Sequence, residues 1–359
     1  MERKVKAMRQ SPHGMANDLK EVLCTYLETA YRISHPAVTR DRAALLREPG
    51  VIAQIPYVET TPRFKAGGWL RELGLPWIPD ELPDLAHFGL PTNRFPLFAH
   101  QEEALRAAWA EDGSPRDLIV ASGTGSGKTE CFYLPILADI LREALEWPAA
   151  PETGPSGRWD GRRKTWLHSR QHETRPAAVR ALVLYPMNAL VNDQLRRLRK
   201  TLASDGALAW QRENLNNNLI YFGRYTSQTK LAGRPDQPKR RENWEEYRGQ
   251  VEADWEAIGE ELRRSGGWPR PKGAEMLSRW DMQMSPPDVL ITNYSMLEYM
   301  LVRPIEAGIF DSTREWLAAS KENVLTLALD EAHTYTGARG TEVAYLLRRL
   351  FERLKVGPE

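Results

Sequence analysis

Seven consecutive residues, Gly123-Thr124-Gly125-Ser126-Gly127-Lys128-Thr129, carry the densest chemistry in this chain. They follow the apolar run Leu118–Ala121 and open a helical pattern. A strand, a glycine-rich turn and a new helix together make a cradle for a nucleoside triphosphate. The glycines let successive N–H groups converge, and the helix start adds unpaired donors and its positive dipole end. Lys128 is placed to reach the β- and γ-phosphates, and the Thr129 hydroxyl to ligate Mg²⁺. Ser122 stands where such loops usually begin with Gly or Ala.

A second anchor lies far downstream. The apolar run Val324–Leu329 has the length of a buried strand and ends in Asp330-Glu331-Ala332-His333. A carboxylate at that strand end supplies the negative partner that a Mg²⁺ shell needs, which fits Asp330. Glu331 is then placed to polarise an attacking water. Two further segments suit the same chemistry. Gln101, in Phe98-Ala99-His100-Gln101, can pair bidentately with the adenine edge, one donor and one acceptor. The helix expected after Pro186 presents N–H groups to a second phosphate chain, outside the nucleotide pocket.

Composition bounds the rest. The chain has 359 residues, 42% of them hydrophobic and 27% charged, enough for a folded protein with a full core. A formal net charge of +1 leaves any nucleic-acid surface to local clustering. Cys24 and Cys131 are the two cysteines, and no Cys-x-x-Cys or Cys/His ligand spacing occurs. That argues against a disulfide framework or a structural zinc site in this chain, and fits a reducing cytoplasmic setting. The charged N-terminus lacks a secretory apolar segment, and no stretch approaches the ~20 apolar residues of a membrane span.

These residues need elements to position them. Residues 1–90 read as an accessory region, helical around Leu19–Ala30 and Ala43–Arg47 and then broken by Pro and Gly. From 91 to 359 strand and helix patterns alternate. Leu118–Ala121, Val179–Tyr185, Leu219–Phe222, Val289–Thr292 and Val324–Leu329 read as strands of a parallel α/β sheet flanked by helices. Ligands gather outside the carboxyl ends of such strands, where Ser122–Thr129, Pro186–Asn188, Gly223–Thr226, Asn293–Ser295 and Asp330–His333 fall. Two insertions, at about 147–178 and 230–284, interrupt the pattern. In the first, Trp159 and Trp166 stand among Arg158, Arg162, Arg163, Lys164 and Arg170. That mixture suits a solvated loop better than base stacking. In the second, Trp244, Tyr247, Val251, Trp255, Ile258 and Leu262 form a helical stripe expected to pack on the domain. Val343, Leu346, Leu347, Leu350 and Leu354 mark a closing amphipathic helix.

Taken together, the chain resembles the first RecA-like domain of a superfamily 2 helicase. Phe98–Gln101 resembles the adenine-reading Q motif, Ser122–Thr129 motif I, Pro186–Gln194 motif Ia, and Asp330–His333 the Asp-Glu-Ala-His form of motif II. LYPMNALVNDQL (184–195), GRYTS (223–227) and DVLITNYSMLEYMLVRP (288–304) are similar to the bacterial MrfA/YprA-like DNA helicases of DNA repair and phage defence. The resemblance implies a RecA-like P-loop NTPase fold that takes ATP and Mg²⁺ and contacts nucleic acid, DNA by that group. It implies that Pro186, Asn188, Thr292, Asn293 and Tyr294 lie along a single strand, that Arg224 adds a phosphate contact, and that His333 couples the nucleotide site to a second RecA-like domain. Thr292-Asn293 stands where the family's motif Ib usually has Thr-Pro.

The family's Ser-Ala-Thr motif, arginine finger and second RecA-like domain do not follow Asp330–His333 here. An arginine finger contributes on the order of 10³–10⁵ in rate. The resemblance therefore implies an N-terminal half of a helicase or translocase, nearly inactive until a second RecA-like domain, from the same or a partner polypeptide, completes it. Two other readings stand beside this one. One is a restriction-type translocase on duplex DNA. The other is a non-catalytic nucleic-acid-binding subunit of a defence complex, against which the intact Lys128 and Glu331 argue. Backbone contacts do not separate DNA from RNA.

Overall fold

The computed structural model describes residues 11–54, 57, 63–90, 94–123, 125–151 and 157–357. These fall into two compact units, Met1–Arg63 and Phe64–Glu359.

The smaller unit holds α1 (Pro12–Ala30) and α2 (Pro36–Arg47). Ser11 caps α1 by accepting from the Gly14 N–H at 3.0 Å, and each helix starts on a proline whose missing N–H would be unpaired there anyway.

The larger unit runs α3 (Leu82–Ala86), α4 (Ala99–Ala107), α5 (Lys128–Ala144), β1 (Arg158–Asp160), β2 (Thr165–Leu167), β3 (Ala181–Tyr185), α6 (Asn188–Ala203) and α7 (Asp205–Asn214). It continues with β4 (Phe222–Tyr225), α8 (Pro238–Ala257), α9 (Glu260–Arg264), β5 (Glu275–Met276), α10 (Arg279–Met284), β6 (Val289–Asn293) and α11 (Tyr294–Val302). It closes with α12 (Ala307–Ala319), β7 (Thr326–Leu329) and α13 (Gly337–Leu354). Five strands form one all-parallel sheet in the order β5-β4-β6-β3-β7, and β1 and β2 form a separate antiparallel hairpin. Continuous apolar sequence in β3 and β6 matches burial on both faces: every residue of β3 is buried, as are Val289–Thr292 of β6. α5 packs its length into the same core through Tyr133, Leu134, Leu137 and Leu141, and α13 contributes Leu346, Leu350 and Leu354.

Three expectations are corrected. Leu118–Ala121 forms no strand; Ile119 is 98% exposed. A strand exists only where a neighbour takes its hydrogen bonds, and β7, paired with β3 alone, is the sheet's outer edge. The strand expected at Leu219–Phe222 lies at Phe222–Tyr225 instead. Leu219, Ile220 and Tyr221 are buried as its run-in, so apolarity alone does not mark its start. The insertion read at 230–284 also supplies a sheet strand, the short edge β5. Leu70, Leu73, Leu82 and Leu85 also belong to the core.

The insertions build a satellite core of their own. Trp166, Trp244 and Trp280 meet edge to face, with Trp159 and Tyr247 against them. Arg241 covers Trp159 at 4.6 Å, and Arg170 is buried. These aromatics are packing residues, as the packed-stripe reading implies, whereas the solvated-loop reading of the first insertion is overturned: Trp166 and Arg170 are buried in it.

Candidate functional site

The glycine loop is held from below. Gly125 and Gly127 have φ of 75° and 77°, the left-handed region that glycine enters at little cost. Gly127 then caps α5, so Lys128 and Thr129 open a helix of 17 residues. A Cβ on Gly127 would sit 2.5 Å from Gln101 Nε2 and 2.9 Å from Glu130 Oε2, whereas Gly123 and Gly125 face open space. Ser122 Oγ and Ser126 Oγ lie 2.6 Å apart, so the serine at the usual Gly/Ala position ties the two sides of the loop together. Thr124 lies outside the described residues.

α4 supplies the brace. His100 Nε2 donates to the Ser126 carbonyl (2.9 Å), and Gln101 Nε2 donates to the Gly127 carbonyl (3.0 Å). Gln101 Oε1 accepts from the Phe98 N–H (2.9 Å). The buried Gln101 amide is therefore engaged at both ends by backbone, and its adenine-reading role is not what this geometry displays.

Across the sheet end, Asp330 follows β7, and its N–H donates to the Leu184 carbonyl of β3 (3.0 Å). Burial raises the Asp330 carboxyl above its ordinary range, and the neighbouring Glu331 charge adds to this. The Glu331 N–H (2.9 Å), Lys128 and His333 pull the other way. Lys128 and Asp330 thus lie within reach of each other's charge, bringing the two anchors together. Glu331 adopts φ 51°, a left-handed conformation that turns the chain sharply after the strand, and Thr334 Oγ1 donates to its carbonyl (2.8 Å). His333 is 74% exposed, with Nδ1 3.3 Å from Glu331 Oε2.

Beneath the loop, Glu130 of α5 meets Arg197 of α6 at 2.5 Å. Sequence reasoning missed this pair; Glu130 directly follows the Lys-Thr of the loop, and a buried carboxylate there needs a partner.

A row of polar groups continues along the same sheet end in strand order. Asn188 opens α6 after β3. Asn293 ends β6, donating from Nδ2 to Asn188 Oδ1 (2.8 Å) and accepting from the Met296 N–H (2.8 Å). Asn188 Nδ2 reaches Ser227 Oγ at 3.5 Å. Arg224 of β4 donates to Asn192 Oδ1 (2.6 Å) and Gln228 Oε1 (3.0 Å); burial lowers its pKa. Pro186 and Tyr294 are half-buried beside this row. Tyr294 meets Tyr335 edge-on at 6.3 Å and lies under Arg339 at 5.5 Å, which ties α11 to the segment after His333. Thr292 does not join the row: it is fully buried and its hydroxyl donates to the Tyr225 carbonyl (2.6 Å). Asn192 and Ser227 lie inside the quoted segments 184–195 and 223–227 but received no role from sequence, and Gln228, Tyr335 and Arg339 were not singled out, because polar residues one turn or one loop from a motif carry no spacing signal.

Residues 98–222, from the start of α4 to the start of β4, match the DEAD/DEAH box helicase family. The chain is 35% identical to Druantia protein DruE of Escherichia coli, over 98% of this chain and 20% of DruE. It is 23% identical to an uncharacterized ATP-dependent helicase of Methanocaldococcus jannaschii, over 73% of this chain and 24% of that protein. Among solved structures, Mycobacterium smegmatis helicase Lhr, bound to single-stranded DNA and AMP-PNP, aligns at 22% identity and a TM-score of 0.35, covering 71% of this chain and 21% of Lhr. The chain thus spans about a fifth to a quarter of the length of these proteins. Residues 98–222 thus match the DEAD/DEAH box helicase family, in a chain similar to DruE along nearly its whole length.

Proposed function

We propose that this chain is the ATP-binding part of an ATP-dependent DNA helicase or translocase of a defence or repair system. The observation that carries the reading is the Asp330 carboxylate at the end of β7, within reach of the Lys128 charge. The loop amides and Lys128 bind the triphosphate, and Glu331 orients the attacking water and takes its proton.

Magnesium fits the donor set. Mg²⁺ is held by one or two carboxylates together with substrate phosphates rather than by an all-protein cage. Among the described residues no cluster of three or more His, Cys, Asp or Glu forms such a cage, while Thr129 and Asp330 offer one hydroxyl and one carboxylate. The ion would neutralise charge developing on the phosphates.

The polar row from Arg224 and Ser227 through Asn293 to Asn188 runs in strand order toward Asp330. It suits the backbone of a single strand, with the α6 N-terminus offering N–H groups to a phosphate. DNA is favoured by the MrfA/YprA-like resemblance. His333, exposed beside Glu331, is available to a second RecA-like domain, and the polypeptide is nearly inactive without one.

Steady-state ATPase measurements with and without single-stranded DNA test this reading. The isolated chain is expected to bind Mg·ATP weakly with little turnover. In the complete protein, Lys128→Ala abolishes ATP binding, and Glu331→Gln retains binding while losing at least a hundredfold in turnover. Turnover left intact by Glu331→Gln would show that another group activates the water. Strand displacement by the complete protein separates unwinding from movement along duplex DNA.

A further inference from the structure

The module built by the insertions encloses a cavity of ≈ 230 Å³ that the Lys128 loop does not touch. Tyr221, Trp244, Val251 and Leu277 give it an apolar floor with two aromatic rings. The floor is rigid. Trp244 Nε1 donates to the Gly157 carbonyl at 3.0 Å, and its ring meets that of Trp166 edge-on at 5.8 Å.

The mouth has a different character. Arg212, Arg248, Arg270 and Lys272 stand around it. Arg248 pairs with Glu245 and Arg270 with Asp205, while Arg212 and Lys272 have no ion-pair partner among the described residues. Two of the three lining carboxylates are already engaged. Glu275 takes both nitrogens of Arg199, at 2.6 and 2.9 Å, and Asp281 accepts from Trp166 Nε1 (2.6 Å) and Ser169 Oγ (2.7 Å). Among the described lining residues, Glu252 is the carboxylate left to oppose these two cations. His172 also lines the cavity, and its buried Nδ1 lacks a hydrogen-bond partner.

A planar ring would lie against an aromatic floor of this kind, and a phosphate would be held by guanidinium and ammonium groups at the mouth. The volume falls below that of pockets for drug-sized ligands, roughly 300–1,000 Å³, and so leaves room for no more than one such unit. We propose that this cavity binds a single nucleoside 5′-monophosphate unit, its base on Trp244 and its phosphate at Arg212 and Lys272. The site is separate from the triphosphate loop and independent of the ATPase reading. The unit comes either from a free mononucleotide or from the 5′-phosphorylated end of a strand.

Titration calorimetry on the Lys128→Ala chain, which removes the triphosphate site, tests the proposal. The probes are CMP, cytidine, inorganic phosphate and a 5′-phosphorylated oligothymidylate. CMP is expected to bind one to one, with cytidine and phosphate each at least tenfold weaker. Arg212→Glu combined with Lys272→Glu, both exposed positions, should weaken CMP at least tenfold without changing Tm. An oligonucleotide at least tenfold tighter than CMP identifies a strand end as the ligand; equal or weaker binding identifies the free nucleotide. The proposal is overturned if CMP does not bind, if the charge reversals leave its affinity unchanged, or if phosphate alone binds as tightly.

Discussion

Two buried aspartates, Asp288 and Asp281, are displaced in opposite directions by their surroundings. Burial alone would raise the Asp288 carboxyl, but Arg175 and Arg180 outweigh it and hold the group well below the ordinary carboxylate range. Its Oδ1 accepts from Arg175 (2.7 Å) and Arg180 (2.8 Å), and its Oδ2 accepts from Arg175 (2.7 Å) and the Tyr221 N–H (2.8 Å). A depressed carboxyl stabilises the fold above its unfolded pKa near 4 and loses that contribution as pH falls through the folded value. Asp288→Asn at pH 7 leaves two buried guanidiniums undercompensated and should destabilise by about 3–5 kcal/mol, measurable by urea unfolding. Asp281 is the reverse. Burial pushes it up to about 6 against hydrogen bonds from Ser169 and Trp166. A raised carboxyl contributes stability fully below its unfolded pKa and loses it as pH rises through the folded one. Asp281→Asn should therefore gain on the natural chain between pH 4 and 7, by up to about 3 kcal/mol at ~1.4 kcal/mol per pKa unit. Thermal melts across that range check the sign. Lys128, Asp330 and Glu331 were legible in the sequence because phosphate and metal chemistry restricts which residue types can serve. Asp288 was quoted with a motif yet works in packing, and nothing in its spacing separates those roles.

At the scale of elements, α4 and the glycine loop act as one piece. The Gln101 amide bridges the start of α4 to Gly127, so its removal loosens the loop. Gln101→Ala should weaken ATP and GTP by the same factor, roughly fivefold for the ~1 kcal/mol of one hydrogen bond. Fluorescent-nucleotide competition checks this, and a selective loss of ATP would restore the adenine-reading role. Much of the sheet was legible too. β3 and β6 are apolar runs bounded by polar residues, and burial on both faces leaves that signature; β7 is as apolar in sequence, although only its Ala328 is buried. β5 was not, since Glu275-Met276 is two residues long and its glutamate is buried by pairing with Arg199 rather than by being apolar. The Trp166–Trp244–Trp280 cluster joins residues far apart in the chain, a contact that no local periodicity encodes.

For the molecule as a whole, the strand that failed to form matters most. Leu118–Ala121 looks like a strand in isolation and lies bare, and among the described residues β7 keeps one side unpaired. An unpaired parallel edge is a template for another chain, and covering an isoleucine as exposed as Ile119 gains about 1.5–3 kcal/mol. On its own, this polypeptide should therefore be sticky: as its concentration rises, copies zip together through the bare flank of β7 and the sample turns turbid. Ile119→Lys should keep it dispersed to higher concentration in multi-angle light scattering. Undiminished clumping by that variant would mean that another surface drives the association.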